Sequence, residues 1–471
     1  QTGAVGRAKM DELQRAWIRE RAVSFGSVEP DSPLTDGERA GLDRIIAAAP
    51  VVGIGEAAHG SRTVIQSSMR LLKFLIEERQ ADIIVLEACP GATHRLDRHV
   101  VRGEGDAEEA LVAMGGWNYA SQEILSFATW LRDAQPAHFR SRRPLRIMGC
   151  DCQSMDGPKA ELLRLLQKFV LTGALRQDAA DEAAALVTAL PTDRDLGQFV
   201  ALILREMDGQ APEESRMADI EAWQAEFAAT VSVSVACACR RLRDIGLTLS
   251  ASVSHDDRFF FQRCGRHLEQ VVQFYSPGDA MHARDLFMAE NILALRRHFQ
   301  PERMVVLSHN LHVARVPIAI RGYQFMTMGH HLARELGDDY RSIGSAFHTG
   351  QYLAMTEYRP IDDLVEEAHA PGPQALESLL QQAAVDQQSH GLLIDFSQSA
   401  RQRMESPWSD GIEMRLGEAG RQGNYSACFI KQRPDLQFDA MLFLSETSPI
   451  SVLPGYYQHA SRRSQMTRSG P

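Results

Sequence analysis

Glu56 and His59 stand three positions apart in GIGEAAHG, residues 53–60, with glycines on either side. A histidine beside a carboxylate is the usual general-base pair. The carboxylate fixes the tautomer and stabilises the imidazolium that forms on proton uptake. Further along, Glu87 follows IIVL, Asp151 and Gln153 follow LRIMGC, and His309 and His312 lie three apart in SHNLHVAR. No serine elbow of the GxSxG type stands out. Ser308 precedes His309, but neighbouring strand residues point to opposite faces, which argues against a serine–histidine pair. Water, or a group of the substrate, is therefore the expected attacking species. A divalent metal on Glu56, His59, Glu87, His309 and His312 is the second chemistry open to this oxygen–nitrogen set. The HExxH spacing is absent, and the reading adopted uses no cofactor.

The elements that must hold these groups are legible from periodicity. Apolar runs of strand length end at Glu56, Glu87, Cys150, Ser308, Asp395 and Ser445. Continuous runs of this kind fit strands buried on both faces. Between them lie amphipathic patterns such as VIQSSMRLLKFLIEERQ and SQEILSFATWLRDAQ, the latter with Ser121 as N-cap. Strand–helix–strand alternation predicts an α/β layered fold with a mostly parallel sheet. From 155 to 300 the strand signal fades, and Ala, Leu, Glu, Gln and Arg dominate. The expected organisation is a first part of the α/β core over 1–154, a helical insertion over 155–300 and a second part of the core over 301–471.

In such sheets ligands bind beyond the carboxyl ends of the strands. That rule sends Glu56, His59, Glu87, Asp151, His309 and His312 to one rim, although they come from four separate stretches. Any one carboxylate there could instead cap the next helix; the convergence of all of them favours a site. The glycines beside Glu56 are expected to allow a ligand close to the backbone. Trp117, which follows two glycines, and Tyr275, which precedes SPGDAMHARD, are candidates for the cleft wall.

Composition narrows the partners. The 471 residues carry a net charge of −11, with 44% hydrophobic and 24% charged residues, as in ordinary globular proteins. An acidic chain is a poor match for a phosphate backbone, so no nucleic-acid partner is expected. No apolar run approaches the ~18 residues of a membrane span, and no membrane partner is expected. Of the seven cysteines, Cys150/Cys152 and Cys237/Cys239 form CxC pairs rather than CxxC. The cysteines read as reduced structural thiols, with the cytoplasm as the expected compartment.

The stretches VVGIGEAAHGS, IIVLEA, GGWNYASQEILSFATWLRD, GCDCQS, RDLFMAENI, LSHNLHVAR and GDDYRSIGSAFHTG resemble, in order, successive motifs of the erythromycin esterase family. The resemblance covers about 51–350. It implies a three-layer α/β/α core with a helical subdomain forming a lid over a deep cleft. It also implies metal-independent hydrolysis, which in macrolide-resistance members opens a lactone ring. By that resemblance His59 is the general base, Glu87 supports it and Glu56 is the glutamate of the first motif. His309 faces the substrate or the oxyanion. His312, Arg284 and an arginine of the helix after the first motif, here Arg70, border the substrate.

Two functions follow. One is cleavage of an ester or lactone, in a macrolide or other polyketide-like small molecule, by water that His59 activates. The alternative is a biosynthetic enzyme of secondary metabolism, in which the same pocket deprotonates a substrate group for cyclisation, transfer or elimination.

Overall fold

Apolar residues and glycine fill segments 51–55, 83–86, 304–307 and 441–444 and leave no polar face, so these strands can sit only in the middle of a layered core. The computed structural model describes residues 2–139, 143–196, 214–276, 280–320, 323–354, 365–397, 406–416 and 428–456. Along the chain the strands are β1 (Ala22–Ser24), β2 (Val51–Glu56), β3 (Ala81–Leu86), β4 (Arg146–Gly149), β5 (Arg303–His309), β6 (Ile318–Ile320) and β7 (Tyr323–Phe325). They continue with β8 (Tyr340–Leu353), β9 (Val365–Glu367), β10 (Gly391–Asp395), β11 (Ile412–Arg415), β12 (Phe429–Gln432) and β13 (Ala440–Thr447). The main sheet has the order β1-β10-β13-β8-β2-β5-β3-β4, with β9 on the far end of β8. From β13 to β4 every neighbouring pair is parallel, whereas β10 runs antiparallel to both β1 and β13.

Successive strand residues feed two cores, one on each face of the sheet. Ile83, Val85, Met304 and Val306 join one, and Ile84, Leu86, Val305 and Leu307 join the other. The second face is covered by helices Asp36–Ile46, Arg62–Arg79, Pro90–Arg102 and Gln122–Phe139. Two of these begin at serine caps. Ser61 Oγ accepts the Val64 N–H at 3.1 Å and Ser121 Oγ accepts that of Ile124 at 3.3 Å, the usual way to satisfy a first-turn donor.

Between β4 and β5 the described residues form helices and turns, with no strand. Helices Asp156–Leu171, His255–Tyr275 and Ala280–Phe299 share the first core with the sheet, through Leu162, Phe261, Leu268 and Ile292 among others. The helix-rich segment is thus one layer of the sandwich and also supplies cavity walls. Residues 197–213 within the helix-rich stretch, and the tail after Tyr456 at the end of the chain, lie outside the described residues. No helix among the described residues is long and apolar enough to cross a membrane. All seven cysteines are free thiols.

Candidate functional site

The sheet order brings the strand ends together. β5 enters between β2 and β3, and the register pairs Glu56 directly with His309. Glu87, one residue past β3, donates its backbone N–H to Leu307 O of β5 at 3.1 Å, and the Asp151 N–H reaches Ala88 O at 3.0 Å. Glu56, Glu87, Asp151 and His309 therefore share the carboxyl rim. The short helix Asn310–Val313 folds back over β2. Asn310 is pinned to Ser345 of β8, accepting its N–H at 3.0 Å and donating to its carbonyl at 2.8 Å.

The glycines of the first motif serve this packing rather than a ligand. A Cβ on Gly55 would lie 2.3 Å from Asn310 Oδ1 and 2.9 Å from a Val313 methyl carbon. Gly60 has φ +82°, which side-chain-bearing residues adopt at a penalty, and its missing Cβ makes room for Leu353 O and Trp117.

His59 Nδ1 lies 3.0 Å from Glu56 Oε2. Donation of the Nδ1 proton to that carboxylate leaves the Nε2 lone pair as the basic position. The ring is 19% exposed and borders the cavity. Burial alone would lower the His59 pKa, but the bond to Glu56 and the charges of Glu87 and Glu56 outweigh it and raise the pKa above the usual value. Glu87, which the sequence reading paired with His59, acts on it through charge; the carboxylate in contact is Glu56.

Glu87 itself belongs to a buried ionic network. One of its oxygens accepts from Ser308 Oγ at 2.7 Å and from the His309 backbone N–H at 2.8 Å. The other takes an Arg284 N–H at 2.7 Å. Arg284 also grips Asp151 with two N–H groups, at 2.9 and 3.0 Å. His312 Nδ1 lies 2.8 Å from Asp285 Oδ1, which also accepts the Met328 N–H at 2.6 Å. Burial opposes charge on His312, yet Asp285 and Glu87 raise its pKa to about 10, which favours the imidazolium form at neutral pH. Its Nε2 is 3.3 Å from Glu87 and 3.2 Å from Arg284. A protonated Nε2 donates to the carboxylate, and the close guanidinium is tolerated because three carboxylates surround the two cations. Burial would raise the Glu87 pKa, but His312, Arg284 and His59 hold it well below the ordinary carboxylate value.

His309 is the neutral member. Burial and the nearby His59 push its pKa well below the ordinary value. Its Nδ1 accepts the Leu311 N–H at 3.4 Å, which places the proton on Nε2. That Nε2 is buried and has no hydrogen-bond partner among the described residues. The His59 and His309 ring centres are 5.0 Å apart.

A cavity of about 300 Å³ opens beside this network. His59, Glu87, Asp151 and Arg284 form its polar side, and Trp117, Tyr119, Tyr275 and Tyr456 supply aromatic wall. Tyr275 also donates its hydroxyl to Gln153 O at 3.1 Å. The residues singled out from the sequence gather in or directly beneath this site, with one exception. Arg70 does not. It is buried, and its guanidinium bonds both oxygens of Glu38, at 2.9 and 3.0 Å, and the carbonyls of Ser27, Ser32 and Pro33. It braces the loop before helix Asp36–Ile46 rather than a substrate. Ser308, Asp285 and Tyr119 were not selected from the sequence. A signal for two of them existed, since Ser308 adjoins His309 and Asp285 adjoins Arg284.

A histidine–carboxylate pair at the carboxyl rim of a mostly parallel sheet, with helices on both faces, places this pocket in an α/β protein. The chain belongs to the erythromycin esterase family: the family model described as Erythromycin esterase matches residues 76–447. Glu87, Asp151, Arg284, His309 and His312 lie inside that span, and Glu56 and His59 precede it. The chain is similar to an erythromycin esterase type II from Escherichia coli, 23% identical over 349 residues that cover 72% of this chain and 78% of that protein. It is also similar to a type I esterase from the same organism, 22% identical, with 71% and 75% covered. Among solved structures, a Bacillus cereus protein matches with a TM-score of 0.72 at 18% identity, covering 94% of this chain and 99% of the other. A mutant erythromycin esterase in its open conformation matches with 0.63 at 16%, covering 91% and 98%. At these identities the structural likeness is one of fold.

Proposed function

We propose that the protein hydrolyses a carboxylic ester or lactone of a small molecule, a macrolide or another polyketide-like product being the class its family suggests. His59 Nε2 removes a proton from water as the oxygen attacks the carbonyl carbon. Glu56 holds the tautomer and stabilises the imidazolium. The Nε2–H of His309 donates to the carbonyl oxygen as it gains negative charge. On collapse the imidazolium returns the proton to the leaving alcohol oxygen. The observation that carries this reading is the His59–Glu56 pair at the cavity, with no partner for Nε2 among the described residues. The reading uses no metal, since Arg284 and His312 already partner Glu87, and Arg284 also partners Asp151.

Turnover in ¹⁸O-labelled water tests it: one labelled oxygen is expected in the product acid. A product formed without label would instead assign the pocket to cyclisation, transfer or elimination.

The pH profile supplies a second expectation. Only neutral His59 accepts a proton, and its pKa is raised above the usual 6.5, so kcat/KM should rise with pH through a value above that. Glu56→Gln removes a carboxylate that raises this pKa, and the acid limb should move to lower pH while the plateau falls. An unmoved limb would assign the titration to another group.

A further inference from the structure

We propose that Tyr119 is a catalytic residue of this site, its phenol O–H donating a hydrogen bond to the carbonyl oxygen as that oxygen becomes an oxyanion. The inference rests on the hydrolytic reading above.

The geometry comes first. Tyr119 sits in the loop between helices Ala107–Ala113 and Gln122–Phe139, is 4% exposed, and lines the cavity that holds His59 and Glu87. Its hydroxyl is buried and finds no hydrogen-bond partner among the described residues. A buried hydroxyl without a partner typically costs about 1–3 kcal/mol. The fold could have avoided that penalty with phenylalanine, which has nearly the same shape.

The loop is also held firmly. The Tyr119 and Ala120 N–H groups both reach Gly116 O, at 3.2 and 3.1 Å, and Ala120 O accepts the Leu453 N–H at 2.8 Å. Ser121 forms a β-bridge with Val452. The ring therefore has little freedom to swing its hydroxyl to another acceptor.

The chemistry fits a donor and excludes a base. Burial, together with the charges of Glu56 and Glu87, lifts the Tyr119 pKa well above the ordinary tyrosine value. The proton stays on the oxygen at any physiological pH. A neutral O–H in a dry wall is suited to meet charge that appears only in the transition state. His309 Nε2–H is the other neutral, buried donor without an acceptor at this site, among the described residues. The two come from different elements, the rim of β5 and the loop that walls the cavity. That the two meet on one carbonyl oxygen is part of the proposal. In the step itself water adds to carbon, the carbonyl electron pair moves to oxygen, and the Tyr119 proton is shared but never transferred. Proton movement stays with His59.

The test is Tyr119→Phe with two readouts, beside His59→Ala as a reference. Removal of one oxyanion donor lowers kcat by about 10²- to 10³-fold in comparable sites, and a fall of that order is expected here with KM changed by less than a few-fold. The melting temperature should stay the same or rise, because an unpaired buried hydroxyl is lost. A merely structural tyrosine gives the opposite pattern, with kcat within twofold of the wild type, and that result overturns the proposal. If His59→Ala abolishes turnover while Tyr119→Phe does not change it, this inference fails alone. If the wild-type protein hydrolyses no ester or lactone, the functional reading fails. The phenol is then judged with an alkyl phosphonate, a tetrahedral oxyanion mimic: at least tenfold weaker binding to Tyr119→Phe retains the donor role, and equal affinity overturns it.

Discussion

Replacing His59 with alanine is expected to leave a folded protein whose kcat/KM is lower by about 10²- to 10⁴-fold, the usual contribution of a positioned general base. The side chain borders the cavity, and among the described residues its hydrogen bond is to Glu56 alone. Its removal opens space toward solvent and creates no closed void in either core. The backbone turn persists because its special conformation belongs to Gly60. The loss should fall mainly on kcat, since the base acts on water in the chemical step rather than on bound substrate. Initial rates on an ester or lactone, with circular dichroism melts of both proteins, check this. Activity within threefold of the wild type would remove His59 from the mechanism.

Much of this site was legible in the sequence, because one rule carried most of it. Polar residues that end buried parallel strands fall on one rim whatever the strand order, so Glu56, Glu87, Asp151 and His309 could be grouped without knowing that β5 lies between β2 and β3. The rule depends on strand direction, which an apolar run does not encode. Asp395 ends a run of the same appearance, but β10 is antiparallel and its Asp395 pairs with Ala440 at the start of β13, on the opposite rim. Contacts between side chains were less legible than their placement. Both Glu56 and Glu87 stand near His59, and only the three-dimensional packing decides that one touches the ring while the other anchors Arg284. Arg70 failed for a related reason. Its helix is buried on more than one side, so periodicity does not say whether an arginine there meets the cavity or a structural loop. Tyr119 was hidden because a tyrosine among tryptophan, glycine and alanine reads as core; its distinguishing property is the hydrogen bond it lacks.

Arg284→Met should have the second large effect, lowering the unfolding free energy by about 3–5 kcal/mol, as when one partner of a buried ion pair is removed. Arg284 is buried and bonds Glu87 and Asp151 through three N–H contacts between 2.7 and 3.0 Å. Without it, Glu87, Asp151 and Asp285 face a single imidazolium, His312, and the desolvation of two carboxylates is no longer offset. Glu87 would then tend to take up a proton. The charge that helps to raise the pKa of His59 would weaken, so the residual activity should show its acid limb at lower pH. Arg284→Lys keeps the charge but cannot reproduce the paired contacts to Asp151, and intermediate stability is expected. A companion variant separates electrostatics from lost packing. Adding Glu87→Gln and Asp151→Asn to Arg284→Met makes all three side chains neutral and should recover part of the lost stability, because the uncompensated charges are gone. It should recover no turnover, since His59 and His312 would then face a neutral amide in place of the Glu87 carboxylate. Urea titrations of the four proteins decide the matter. An Arg284→Met protein within about 1 kcal/mol of the wild type, or a triple variant no more stable than the single one, would show that the network is not held by charge compensation.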